Sequence, residues 1–191
     1  MLLMYSGLRR GEATALTWAD IDLDAGTISV SRSYDFVTRT IKAPKSASGT
    51  RVVNIPQQLV TYLRNEKKDD QCLYVLHTAS GHMMTHQAWT VLWRSYMNDL
   101  NLKYGYNGSR GKFDPVKAKM KISTFTPHQL RHTFASLMYM AGVDVMTAKD
   151  QMGHASIKTT LDIYTQLDKK YKRTSMSKLD DFLAGDQAMQ V

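Results

Sequence analysis

The run TPHQLRHTFAS, residues 126–136, opens with a proline turn and then sets His128, Arg131 and His132 within little more than one helical turn. Thr126, Pro127 and Gln129 suit the N-cap, first and third helical positions of a capping box, so a helix is predicted to begin here. Leu130, Phe134, Leu137, Met138 and Ala141 recur at helical spacing as its buried stripe, and Gly142 ends it. His128 then lies in the first turn and Arg131 nearly one turn on, along the same side. Helix N-termini attract anions through unpaired N–H groups and the helix dipole. An imidazole and a guanidinium added there make a phosphate pocket; the plainer alternative for His128 is a capping residue without a ligand. His132, about 100° round the helix from Arg131, is read as structural.

Composition points to the same class of ligand. The 191 residues carry 25 Lys plus Arg against 17 Asp plus Glu, a net charge of +8 that favours a polyanionic partner, nucleic acid first. A soluble basic protein with no such partner is the competing reading of charge alone. An apolar share of 43% excludes a disordered chain, and the length allows one domain with its own core. Cys72 is the only cysteine, so no internal disulfide forms and a reducing cytoplasm fits. No Cys/His grouping has zinc spacing. No apolar run approaches the roughly 20 residues of a membrane span, and the opening MLLMY lacks the length and basic flank of a signal peptide. That opening runs straight into Ser6-Gly7 and reads as the last turns of a buried helix. The expectation is a piece of a longer protein, or a chain begun at an internal methionine.

Downstream of the quoted run, Asp144 is placed to cap a helix that stops at Gly153. His154 follows at the turn, and SIKTTLDIY leads to Tyr164. A last helix, 168–184, is basic early and apolar late. Upstream, residues 101–125 form a polar loop with Lys103, Arg110, Lys112, Lys117, Lys119 and Lys121 against Asp114, either a solvated loop or a phosphate-contacting arm. HQAWTVLWRSYMNDL, 86–100, is an amphipathic helix whose Trp89, Leu92, Trp93, Tyr96 and Leu100 are assigned to the core. PQQLVTYLRNEKK, 56–68, is a second, with Pro56 in its first turn. CLYVL, 72–76, is a short strand or core segment. Strands are predicted over 27–34, 38–44 and 51–55, the last two joined by the turn-prone, basic KSASG tip. Leu8–Leu16 reads as a helix. The fold class is mainly α with a small antiparallel β-sheet (α+β), one domain over 1–191.

Phosphodiester cleavage must stabilise added negative charge on two non-bridging oxygens, and it needs an in-line nucleophile and an acid for the departing oxygen. The sequence has no carboxylate cluster suited to Mg²⁺. Arginine and histidine can do the electrostatic work, because the guanidinium fork matches phosphate geometry. Four ordered motifs complete the pattern: SGLRRGEATALTWADIDL (6–23), PKSASGTRVVNIP (44–56), TPHQLRHTFAS (126–136) and QMGHASIKTTLDIY (151–164). Together they resemble the tyrosine recombinases, particularly phage and conjugative-element integrases, over nearly the whole chain.

The resemblance implies a site-specific DNA strand-exchange enzyme that integrates or excises a mobile element. It would cut each strand through a 3′-phosphotyrosine intermediate, free a 5′-hydroxyl and rejoin through a four-way junction, with no metal or nucleotide cofactor. Arg9 matches the first family arginine, a ligand of the scissile phosphate, with Arg10 as its neighbouring alternative; Glu12 either supports the fold or orients Arg9. Lys45 matches the lysine that protonates the leaving oxygen; Lys42 lies close by. His128 and Arg131 match the HxxR pair, His154 the following phosphate-binding position, and Tyr164 the nucleophile. The implied partner is double-stranded DNA, contacted also by Lys42, Arg110, Lys112, Lys117, Lys119 and Lys121. The full-length protein would be a homotetramer on DNA and the isolated domain a monomer, in a bacterial or phage-infected cytoplasm.

Two features depart from the family pattern. His154 and Tyr164 are ten residues apart, one more than in many members, which keeps Tyr171 as a second candidate. The N-terminal DNA-clamping domain and the first helix of the catalytic domain have no counterpart. Three other readings stay in view: a type IB topoisomerase, a truncated DNA-binding fragment without activity, and a plain basic helical domain.

Overall fold

The computed structural model of the chain describes residues 1–44, 47–105 and 122–165. It is mostly helical, with two small antiparallel sheets. The helix α1 (Leu2–Ser6) stops at Gly7, whose φ of 64° is left-handed. A Cβ at that position would stand 2.5 Å from Phe134 Cδ1 and 2.9 Å from Met152 Sδ, so only glycine fits the turn. The helix predicted over 8–16 starts later than expected. Arg9 stays extended (φ −68°, ψ 152°) and gives its amide to the Glu12 carboxylate, so α2 spans Arg10–Ala15.

β1 (Ile21–Asp22), β2 (Thr27–Val30) and β5 (Arg51–Asn54) form one antiparallel sheet in the order β1-β2-β5, with Ile28 opposite Val53. β3 (Ser33–Asp35) and β4 (Thr40–Lys42) form a separate hairpin. The single strand predicted over 27–34 is therefore two. The break falls at Ser31-Arg32, where the Arg32 guanidinium reaches Asp20 at 2.6 Å. CLYVL is a core segment rather than a strand: Val75 and Leu76 pack against the core, and of its residues only Tyr74 bridges, to Thr17.

α3 (Gln57–Asp69) follows Pro56, and α4 (His86–Leu100) is capped by the Thr85 hydroxyl, which accepts from the Ala88 amide. Of the stripe assigned to the core of α4, Trp89 is buried and its indole donates to Thr14 Oγ1 at 2.7 Å. Leu92 and Tyr96 are exposed instead and line, with Leu2, Trp18 and Trp93, an open apolar cavity of about 590 Å³. α5 (Pro127–Met140) carries the expected Thr126–Gln129 capping box, and α6 (Val145–Met152) the expected Asp144 cap. α7 (Ile157–Thr165) follows the turn at Gly153-His154.

The apolar residues collect in two clusters. Leu8, Ile28, Val53, Leu59 and Leu63 belong to the first, built on α1–α4 and the three-stranded sheet. Phe134, Ala135, Met138, Ala148, Met152, Ile163 and Tyr164 make the second, from α5–α7. α5 packs on α1 as well as on α6 and α7, so the N-terminal end of α5 sits where the two clusters meet. Among the described residues, no helix is long and apolar enough to cross a membrane.

Candidate active site

The site is built on a buried carboxylate. Glu12, in the first turn of α2, takes Arg9 Nη1 on Oε1 at 2.7 Å and Arg51 on both oxygens at 3.1 and 3.0 Å. Burial pushes its carboxyl up, but the bonds and charge from Arg51 and the bonds from Arg9 outweigh that and hold it below the usual carboxylate range. Arg51 projects inward from β5, sharing a face with Val53 by strand alternation. Its Nε donates to the Gln151 carbonyl at 2.9 Å. One side chain thus ties the hairpin that ends in β5 to the end of α6.

Arg9 spans the same gap, its Nη2 donating to the Gly153 carbonyl at 2.9 Å. Gly153 is left-handed (φ 62°), and a Cβ there would stand 2.8 Å from both Arg51 Nη1 and the Ser48 carbonyl. Arg10 turns elsewhere and stacks over Phe36 at 3.9 Å. Arg131 enters from α5. Its Nη1 donates to the Gly7 carbonyl at 2.5 Å and its Nη2 to the Met152 carbonyl, with 2% of the residue exposed. Burial first and Arg9 second push the guanidinium down to about 9, so it stays charged at neutral pH. The Arg9 side chain is 44% exposed and is the arginine of this group that faces solvent.

His154 follows Gly153 and is also buried; its Nδ1 lies 2.9 Å from the Thr160 hydroxyl of α7. Burial, then Arg131 and Arg9, push it down to about 4, so the ring is neutral at pH 7. His128, at the open end of α5, is lowered by burial and then by His132, Arg131 and Arg9. His132 stands beside it: the two rings meet edge to face at 4.6 Å, as residues four apart on a helix do.

Tyr164 is placed differently. It is buried in the second cluster, its ring 4.8 Å from that of Tyr139. Its hydroxyl has no hydrogen-bond partner among the described residues. Burial, then Asp144 and Tyr139, push it up. Arg9 and Arg131 therefore donate to the adjacent carbonyls of residues 153 and 152, with His154 next in the chain, while no contact ties the Tyr164 hydroxyl to this group among the described residues. Lys42 is described and pairs with Asp35 at 2.8 Å. Lys45, Arg110, Lys112, Lys117, Lys119, Lys121, Tyr171 and the predicted 168–184 helix lie outside the described residues.

The profile of the phage integrase family matches residues 1–171. The chain belongs to that family. It is 29% identical over 187 residues to the ICEBs1 integrase of Bacillus subtilis (strain 168), covering 93% of this chain and 46% of that protein. It is 31% identical over 185 residues to the tyrosine recombinase XerA of Thermococcus kodakarensis, covering 93% and 53%. Among solved structures, an XerA recombinase aligns with a TM-score of 0.65 at 25% identity, over 93% of this chain and 54% of that one. The Tn1549 transposon integrase (residues 82–397), in complex with circular intermediate DNA, aligns with a TM-score of 0.70. At 23% identity, over 93% of this chain and 57% of that one, this second likeness speaks to the fold alone. This integrase-family chain spans about half the length of the curated relatives it matches.

Arg51 is the residue of this integrase-family site that motif reading passed over. The signal was present: a lone arginine at an inward strand position, two residues before a buried valine, must find a carboxylate or carbonyl inside. With one carboxylate among Arg9, Arg51 and Arg131, the site keeps a net positive charge, and an anion with several acceptor oxygens complements it.

Proposed function

We propose that the chain is the catalytic part of a site-specific DNA recombinase that cleaves and rejoins strands through a 3′-phosphotyrosine intermediate. The observation that carries this reading is the convergence of Arg9, Arg131 and His154 around the Met152-Gly153 turn. Arg9 and Arg131 bind the non-bridging oxygens of the scissile phosphate, where charge grows in the transition state. At least two N–H bonds of Arg131 are taken by carbonyls, so its fork is fixed before DNA arrives. His154 is neutral. With Nδ1 accepting from Thr160, its Nε2–H is free to donate to the same phosphate. His128 stands at the mouth as a further donor or proton carrier.

Tyr164 is the proposed nucleophile and Lys45 the acid for the 5′-oxygen. A buried, unpartnered hydroxyl costs about 1–3 kcal/mol, and burial that raises its pKa opposes attack. The structure corresponds to a resting arrangement in this reading: α7 shifts when DNA binds, and the hydroxyl leaves the apolar cluster for the phosphate. The family relatives' names and the net charge of +8 support double-stranded DNA as the partner.

The test is covalent trapping. The chain is mixed at low salt with duplexes carrying a 5′-bridging phosphorothiolate, whose thiol leaving group religates poorly, and tyrosine peptides are searched by mass spectrometry. An adduct on Tyr164 is expected, and Tyr164→Phe should abolish it with DNA affinity nearly unchanged. An adduct on Tyr171 would keep the chemistry and move the nucleophile. Bound DNA without any adduct would favour a DNA-binding fragment that does not cleave.

A further inference from the structure

Outside the arginine cluster, the segment leaving α3 turns back and gathers three side chains of ligand type. The carboxylate of Asp70, the thiol of Cys72 and the imidazole of His77 have ligand atoms that all lie within 4.8 Å of one another. We propose that these three residues bind one divalent cation of borderline softness, zinc above all, with a fourth position open to water.

The histidine is already set for it. His77 Nδ1 stands 2.8 Å from the Thr78 carbonyl oxygen, and a carbonyl only accepts, so Nδ1 carries the proton. In the neutral ring the lone pair is then on Nε2, which lies 3.3 Å from Asp70 Oδ2. An Nδ1–H bond to a backbone carbonyl is the usual way a metal-binding imidazole is oriented. Zinc holds nitrogen and oxygen ligands at about 2.0–2.2 Å in a tetrahedron, which puts two such atoms roughly 3.3–3.5 Å apart. The His77–Asp70 distance meets that requirement. Sulfur sits about 2.3 Å from zinc, and the Cys72 sulfur lies within 4.8 Å of both other ligand atoms.

Asp70 is held independently. Trp18 Nε1 donates to its Oδ2 at 2.9 Å, and the Cys72 amide donates to its Oδ1 at 2.8 Å. All three ligand residues are half-buried, so an ion can reach them from solvent. A mixed carboxylate, thiolate and imidazole set suits zinc and disfavours Mg²⁺ and Ca²⁺, which want oxygen alone. On binding, the Cys72 thiol gives its proton to solvent. The ion acts as a clip that fastens the turn after α3 to Trp18, at the rim of the apolar cavity that Asp70 and His77 also line. Two of the ligands are the kind that Cys/His spacing seeks; the third is an aspartate, which that spacing ignores. This inference is independent of the recombinase reading.

The probe is Co²⁺, titrated into the 191-residue chain and then displaced by Zn²⁺. One equivalent is expected to bind with a thiolate-to-cobalt charge-transfer band that Zn²⁺ removes. Cys72→Ser should lose the band, and His77→Gln should weaken binding about tenfold or more, with circular dichroism of the metal-free chains unchanged. Zn²⁺, but not Mg²⁺, should raise the Tm of the wild type and not of Cys72→Ser. A second readout needs no variant: Zn²⁺ should slow alkylation of Cys72 by iodoacetamide in the folded chain. A wild type without the charge-transfer band in excess Co²⁺ overturns the site. So does a Cys72→Ser chain that binds Co²⁺ as tightly, or an alkylation rate indifferent to Zn²⁺. Any of these leaves the trio as a hydrogen-bonded turn.

Discussion

At the scale of single residues, the site depends on Glu12 more than on any group that would touch a phosphate. It neutralises Arg51 in a place where the Arg51 side chain is 7% exposed, and it steers Arg9. Removing one partner of a buried pair strands the other, at about 3–5 kcal/mol. Glu12→Gln is therefore expected to lower the unfolding free energy by that order, read as a lower urea midpoint at unchanged slope, and Glu12→Gln combined with Arg51→Met to cost less than the sum of the two alone. Additive losses would mean that the pair is not the unit. His154 makes a prediction about pH. Its folded value of about 4 is below the ordinary value of about 6.5. The unfolded chain thus takes up a proton where the folded chain does not, and stability falls as pH drops from about 6.5 to about 4. Carboxylates such as Glu12 add to that loss at the acid end. His154→Gln should flatten the upper part of the profile, measured as the urea midpoint across that window; an identical profile would refute the shift.

At the scale of elements, the turn between α1 and α2 carries the tightest constraint. Gly7 combines a left-handed φ, a close approach to Phe134 and a carbonyl that receives Arg131. Gly7→Ala should cost at least about 2 kcal/mol, the sum of a left-handed penalty and overpacking, and should weaken DNA binding through Arg131. A Tm within a degree or two of wild type would show that the turn relaxes. Asp144→Ala removes a cap that accepts from Met146 and Thr147 and should cost about 1 kcal/mol. Such caps explain what was legible in the sequence. Thr126 and Asp144 fix the starts of α5 and α6 by local hydrogen bonds, and local signals can be read without a fold. The break in the 27–34 strand and the lone bridge at Tyr74 were not legible, because Arg32–Asp20 and Thr17–Tyr74 are contacts between separate segments. The family resemblance singled out Arg9, Arg131 and His154, and the fold sets the two arginines on the adjacent carbonyls that precede His154. It could not foresee that Tyr164 packs among apolar neighbours, because that packing depends on how α7 meets α5 and α6.

At the scale of the molecule, the arginine cluster is the seam between two cores. Arg131 donates to Gly7 on the side of the first and to Met152 on the side of the second, and Arg9 and Arg51 cross the same line. A polyanion bound there adds to packing that is otherwise carried mainly by α5. Most of the surplus charge belongs to residues 101–121, where Lys103, Arg110, Lys112, Lys117, Lys119 and Lys121 stand against a single acid in the sequence. If this segment lies on the DNA backbone, each phosphate contact releases counterions and adds about 0.9 to the slope of log affinity against log salt. Replacing Lys112, Lys117, Lys119 and Lys121 with glutamine should then shallow the slope by up to about 3.6, while Tyr164→Phe leaves it alone. The two outcomes separate the parts of the surface. A shallower slope with adduct formation recovered at low salt makes the segment an arm that holds DNA and takes no part in the chemistry. An unchanged slope assigns binding to the seam and hairpin, where Arg9 is the solvent-facing guanidinium, and returns the segment to solvent.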